Sequence, residues 1–232
     1  MSGPESVFQK KLAPETTIDK VEGVLEHFNL PPKFIAFVRR HLRLIQLVTI
    51  LVVVSVVSWS LYSSYRDRTV AQAASALALA MEQDGPTRTA ELENVVQQYG
   101  RTPSALWARI ELAHFQMKNQ EFSEAGNAYA EILGNLKSSH PLYALVLFGL
   151  AQATEAGGNY PEATRHYDAL KDLQGYEHIG FTAMARLEEM QGNGEQAIAI
   201  YNNLLMAMAD KPRFSGMEDE VIARINRLKA QQ

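Results

Sequence analysis

Apolar residues are distributed along this chain in two different ways, and the difference divides it. Residues 44–65 hold no charged side chain, and their first part is almost wholly Leu, Ile and Val. From residue 70 onward apolar positions recur every three or four residues, which is the period of a helix with one buried face. Leu106, Ile110, Leu112, Ala113 and Met117 form one such stripe, and Phe122, Ala125, Tyr129, Ile132 and Leu133 form the next. Short turn signals separate the stripes: Lys118-Asn119-Gln120, Gly157-Gly158-Asn159 and Gly192-Asn193-Gly194. Pro161, two residues after Asn159, marks a helix start. The pattern predicts antiparallel helical hairpins and no strand.

The hairpins are copies of one unit. Ala113, Ala125 and Tyr129 recur as Ala151, Ala163 and Tyr167, then as Ala185, Ala197 and Tyr201. The second alanine always follows the first by 12 residues and the tyrosine by 16, while successive units lie 38 and 34 residues apart. A fixed spacing within a drifting sequence is the mark of a stacked repeat. The alanines are predicted where the two helices cross, because a methyl group lets backbones approach, with the tyrosine covering the opening one turn later. Residues 70–81 and 90–99 are predicted to form an earlier hairpin joined at Gly85-Pro86. A last helix, 217–230, opens at Ser215 with Glu218 three residues on, a capping box. Its stripe of Val221, Ile222, Ile225 and Leu228 suits a terminal cap, since an uncapped stack exposes its core.

The repeats resemble tetratricopeptide (TPR) units. Leu112-Ala113, Leu150-Ala151 and Met184-Ala185 stand for the family's Leu-Gly pair, and each Ala-x3-Tyr stands for Ala-x3-Phe. The first-helix Trp of that pattern is replaced by Arg109, Leu147 and Phe181. The resemblance implies a concave face lined by the first helix of each hairpin, where members commonly bind a peptide or helix. In the alanine register that face takes Trp107, Ile110, His114 and Met117, then Leu145, Phe148, Gln152 and Glu155, then Ile179, Thr182, Arg186 and Glu189. Trp107, Ile110, His114, Met117, Leu145, Phe148, Gln152 and Arg186 are the candidate partner-binding residues, with Trp107, Ile110 and Phe148 equally able to serve as packing between hairpins. The Lys and Asn set that resembles a clamp for carboxyl-terminal tails is missing from these positions.

The apolar segment reads as a membrane anchor. Its 22 residues exceed the roughly 20 needed to cross the hydrocarbon core as a helix. Trp59, Tyr62 and Tyr65 gather at its far end, where amphipathic rings favour the interface. A cleaved signal peptide fits poorly, because the segment is too long and ends without a small-residue cleavage site. Lys33, Arg39, Arg40, His41 and Arg43 precede it without an acid, whereas Arg66 and Arg68 after it flank Asp67. That bias keeps the N-terminus in the cytoplasm and sends the repeats across the membrane. The expected organisation is all-α: a cytoplasmic segment (1–43), a transmembrane helix (44–65), and a TPR-like α-solenoid with a C-terminal capping helix (66–232). Within the first segment Thr16 and Asp19 precede a short amphipathic helix through Val21, Val24, Leu25 and Phe28, ended by Pro31-Pro32.

Charge and side-chain chemistry narrow the function. Residues 66–232 carry 21 acids against 15 Lys and Arg, a net charge of −6, which disfavours nucleic acid as partner. The chain has no cysteine, so neither a disulfide scaffold nor a thiolate metal site is available. His27, His41, His114, His140, His166 and His178 are scattered, with no metal-ligand pair among them. Phosphate loops and nucleophile elbows are absent, and Glu188-Glu189 and Glu218-Asp219-Glu220 read as solvated faces. No catalytic residue, metal, cofactor or small-molecule substrate is expected; the expected partners are proteins and the membrane. A hydrolase hidden in an irregular helical fold is the contrary reading.

The whole plan resembles the YfgM-type family of bacterial inner-membrane proteins. The resemblance runs from Ser58-Trp59 through Tyr65, Ala73, Ser75 and Ala80, then Tyr99-Gly100-Arg101-Thr102, Ala108 and Leu112-Ala113, within residues 44–205. It implies a bacterial inner-membrane protein with its repeats in the periplasm and an ancillary role at the Sec translocon, beside a membrane-anchored periplasmic chaperone. A scaffold of another envelope machine, for cell-wall synthesis, secretion or outer-membrane assembly, is the alternative.

Overall fold

The computed structural model describes residues 32–209 and 216–231. The expected amphipathic helix before Pro32, its Thr16 and Asp19 cap, and the Ser215 cap fall outside the described residues. Among those residues there are nine helices and no strand. They are α1 (Pro32–Glu82), α2 (Gly85–Tyr99), α3 (Pro103–Lys118), α4 (Phe122–Gly134), α5 (Tyr143–Ala156), α6 (Tyr160–Lys171), α7 (Glu177–Met190), α8 (Gly194–Met208) and α9 (Met217–Ala230). The chain divides into two units, residues 1–65 and 66–232.

In the first unit, α1 presents its apolar side chains outward. Leu44, Leu47, Ile50, Leu51, Val53, Val56 and Trp59 are all exposed. The most apolar 18-residue window of this helix reaches a mean hydropathy of 2.3, and none of it is buried against protein. The helix is thus long and apolar enough to cross a membrane. It departs from helical dihedrals at His41 (φ −115°, ψ 20°). A separate helix over 70–81 does not occur: no Gly or Pro interrupts 33–84, so nothing ends α1 before Glu82.

The second unit is a stack of hairpins in which each helix from α2 to α9 packs against its neighbour in the chain. Local signals set the boundaries. Thr102 caps α3 by accepting from the Ala105 N–H at 3.2 Å, and Asn159 caps α6 through the Glu162 N–H at 3.4 Å. Helix α2 starts at Gly85, five residues earlier than the pattern predicts, because Pro86 occupies the first turn, where its missing N–H costs nothing. Arg88 then reaches back to the end of α1, donating to the carbonyls of Gln83 (2.7 Å) and Met81 (2.6 Å).

All three alanine pairs are completely buried at the crossings, with Tyr129, Tyr167 and Tyr201 buried beside them. Three clusters form around these tyrosines and a fourth joins Ala80 of α1 to Leu92, Val95 and Ala108. The last helix closes the array: Val221, Ile225 and Leu228 cover Tyr201, Leu204 and Met208. Ile222, expected in the same stripe, is exposed, because one residue further round the helix turns it off the narrow buried face. Glu218, Asp219 and Glu220 in the first turn of α9, with Arg227 and Lys229 in its last, oppose the helix dipole favourably.

Candidate partner-binding groove

The positions expected on a concave face lie on α3, α5 and α7, the first helices of the three hairpins. Each position can be followed from its local cause. In α3, Trp107 is 39% exposed, His114 is exposed, and Met117 is half-buried against the Tyr129 cluster. Ile110 does not belong to this surface. It is 0% exposed and packs with Ala113, Ala125, Tyr129, Val146 and Leu150, so it is a core residue. Its neighbour α5 lies close enough to close over it, a proximity that sequence spacing alone does not reveal. Leu145 and Phe148 of α5 are half-buried and Gln152 is exposed. The Phe148 ring lies 6.4 Å from that of Tyr167.

Toward the last repeats lies a cavity of about 360 Å³ lined by residues of α5, α6, α7, α8 and α9. It brings Phe148, Gln152 and Arg186 together with Ile179 and Thr182 of the same register. Trp107, His114, Met117 and Leu145 are not part of it. Helix α9 contributes Met217, Glu220 and Arg224, which the repeat spacing could not have found because α9 stands outside the repeat.

A polar ladder runs beneath this surface. The Tyr167 hydroxyl donates to Glu155 Oε2 at 2.7 Å, and Arg186 Nη2 donates to the same oxygen at 2.6 Å. One repeat later the Tyr201 hydroxyl donates to Glu189 Oε1 at 2.7 Å, while Arg224 Nη1 approaches the hydroxyl at 3.5 Å and Nη2 bonds Glu220 at 3.1 Å. Both glutamates follow the first alanine of their unit by four residues and precede the tyrosine by 12. The spacing was present in the sequence, but only antiparallel packing turns it into contact. Burial, and then the Glu155 hydrogen bond, push the Tyr167 phenol well above its ordinary range. The same causes, with Glu189, push Tyr201 up to about 12. These phenols stay neutral donors at physiological pH. Among the described residues no three His, Asp or Glu side chains converge to hold a metal ion.

Hairpins stacked in sequence order and closed by a last helix define a helical-repeat fold. The chain belongs to the tetratricopeptide repeat-like domain family, whose pattern matches residues 36–211. No curated protein matches it. Among solved structures it is similar to the Yersinia enterocolitica type III secretion chaperone SycD in complex with a peptide of the translocator YopD. That likeness has 18% identity, covers 54% of this chain and 93% of SycD, and has a TM-score of 0.44. A second SycD structure, of the translocator chaperone alone, gives 16% identity, 57% and 96% coverage, and a TM-score of 0.45. Nearly identical TPR-like repeats from Podosopora anserina give 19% identity, 70% and 93% coverage, and a TM-score of 0.49.

Proposed function

We propose that this protein is a non-enzymatic, membrane-anchored scaffold that binds partner polypeptides through the concave face of its repeats. The observation that carries this reading is the pairing of an exposed apolar helix with a repeat domain whose cavity gathers Phe148, Ile179 and two arginines, and whose α3 exposes Trp107. Residues 44–65 cross the bacterial inner membrane with the N-terminus in the cytoplasm and the repeats in the periplasm. Anchoring confines the domain near its clients, so weak groove contacts suffice through a raised effective concentration. The resemblance to the YfgM-type family favours a site beside the Sec translocon, with a periplasmic chaperone and newly exported chains as partners. Affinity capture from native membranes, with the span intact, tests this. Sec subunits or a membrane-anchored chaperone are expected; a consistent set of cell-wall, secretion or outer-membrane assembly proteins would favour the alternative machine instead. The double substitution Trp107→Ala, Phe148→Ala should lower the captured partner while helicity is kept. Unfolding of the domain would assign both side chains to the core.

A further inference from the structure

Because the repeats are copies, a departure in one is measured against the other two. Where the second and third repeats place Glu155 and Glu189, the first has Met117. Where Arg186 follows the first alanine of the third repeat, Gln152 follows that of the second. The joint after the first repeat has thus lost both the acid and the cation. Tyr129 keeps the tyrosine position, is 1% exposed, and its hydroxyl has no hydrogen-bond partner. A buried hydroxyl with nothing to bond is disfavoured, and Phe would fill the same space without it. The ring is nonetheless closely accommodated: Gly149 faces it, and a Cβ there would stand 2.7 Å from Cε1 and Cζ.

Resting on the reading of this face as the partner-binding surface, we propose that Tyr129, Met117 and Gln152 form an amide-binding subsite. A main-chain or Asn/Gln carbonyl of a partner polypeptide accepts there the hydroxyl hydrogen bond that Glu155 and Glu189 accept internally one and two repeats on. Met117 packs over the Tyr129 cluster, and an unbranched thioether is readily displaced. Gln152 is exposed and carries both a donor and an acceptor, the complement of an amide. A carboxylate ligand is disfavoured on two grounds. The repeat position of Gln152 holds no arginine, the nearby Arg186 being bonded to Glu155 at 2.6 Å, and Glu111 already lies close enough to act on the Tyr129 phenol. Phe148, one turn from Gln152 on α5, offers apolar surface to the residues flanking the amide. The occupant is an uncharged polypeptide segment with a carbonyl free to accept.

The test uses the full chain in lipid nanodiscs and two fluorescein-labelled nonapeptides, one of Leu, Asn and Ser, the other with Asp for each Asn. Fluorescence anisotropy should show the Asn peptide binding about tenfold or more tightly than its Asp counterpart. Tyr129→Phe should weaken the Asn peptide by about five- to tenfold, the worth of one hydrogen bond, without lowering the melting temperature. Met117→Glu with Gln152→Arg rebuilds the internal ladder and should raise the melting temperature while weakening binding at least as much. Unchanged affinity in Tyr129→Phe overturns the subsite, as does equal or tighter binding of the Asp peptide, or no binding of the Asn peptide to the unmodified protein. If the double variant does not fold, Tyr129→Phe decides alone. Partners captured from membranes as well by Tyr129→Phe as by the unmodified protein would remove the subsite and leave the scaffold standing.

Discussion

Tyr129, Tyr167 and Tyr201 share one offset in the repeat and have different chemistry, which substitution should expose. Tyr167→Phe removes a bond to the carboxylate of Glu155 and is expected to destabilise the domain by about 1–2 kcal/mol, read by denaturant titration. Tyr129→Phe removes a hydroxyl that bonds to nothing and should cost nothing or stabilise slightly. Equal losses at both positions would contradict the ladder. The phenols also set an alkaline limit. Burial first, and the bond to Glu189 second, raise Tyr201 from its ordinary 10 to about 12, with Arg224 opposing. A folded-state pKa above the unfolded value means that the fold holds the proton more tightly. Its contribution is therefore complete below pH 10 and is lost as pH rises from 10 to about 12. Melting temperature should fall over that window, and fall less steeply in Tyr201→Phe.

Turns between helices repeat as faithfully as the crossings do. Gly158 (φ 81°) and Gly192 (φ 80°) adopt the left-handed conformation seven residues after the first alanine of their units. Gln120 stands at the same place in the first unit with φ 65°. A side chain there is strained in a way that glycine is not. Gln120→Gly should stabilise the domain by about 0.5–1 kcal/mol, measured as a raised denaturation midpoint with unchanged slope. Failure to stabilise would mean that Gln120 gains something from its side chain that the turn geometry does not reveal. Helix boundaries followed local signals where these existed, as at Thr102 and Asn159, and moved where none did, as in α1.

Taken as one chain, the protein joins an apolar helix to a stack of hairpins, and its orientation is open to a direct check. Alkaline phosphatase fused after Gln232 should be active, and β-galactosidase at the same place inactive; the reverse pattern would put the repeats in the cytoplasm. The hairpin architecture, the alanine crossings and the apolar helix were all legible in the sequence. Each follows from periodicity, local sterics or uninterrupted hydropathy, which neighbouring residues along the chain settle among themselves. Which concave residues remain accessible was not legible. Ile110 and Trp107 share the register expected of a concave face on α3, yet one is sealed beneath α5 and the other is open. Arg224 entered the groove from a helix with no repeat register, and the tyrosine–glutamate ladder needed the hairpin closed before its 12-residue spacing became a 2.7 Å bond. Burial and hydrogen bonding between helices depend on distances that only packing fixes, so these were decided by the tertiary structure alone.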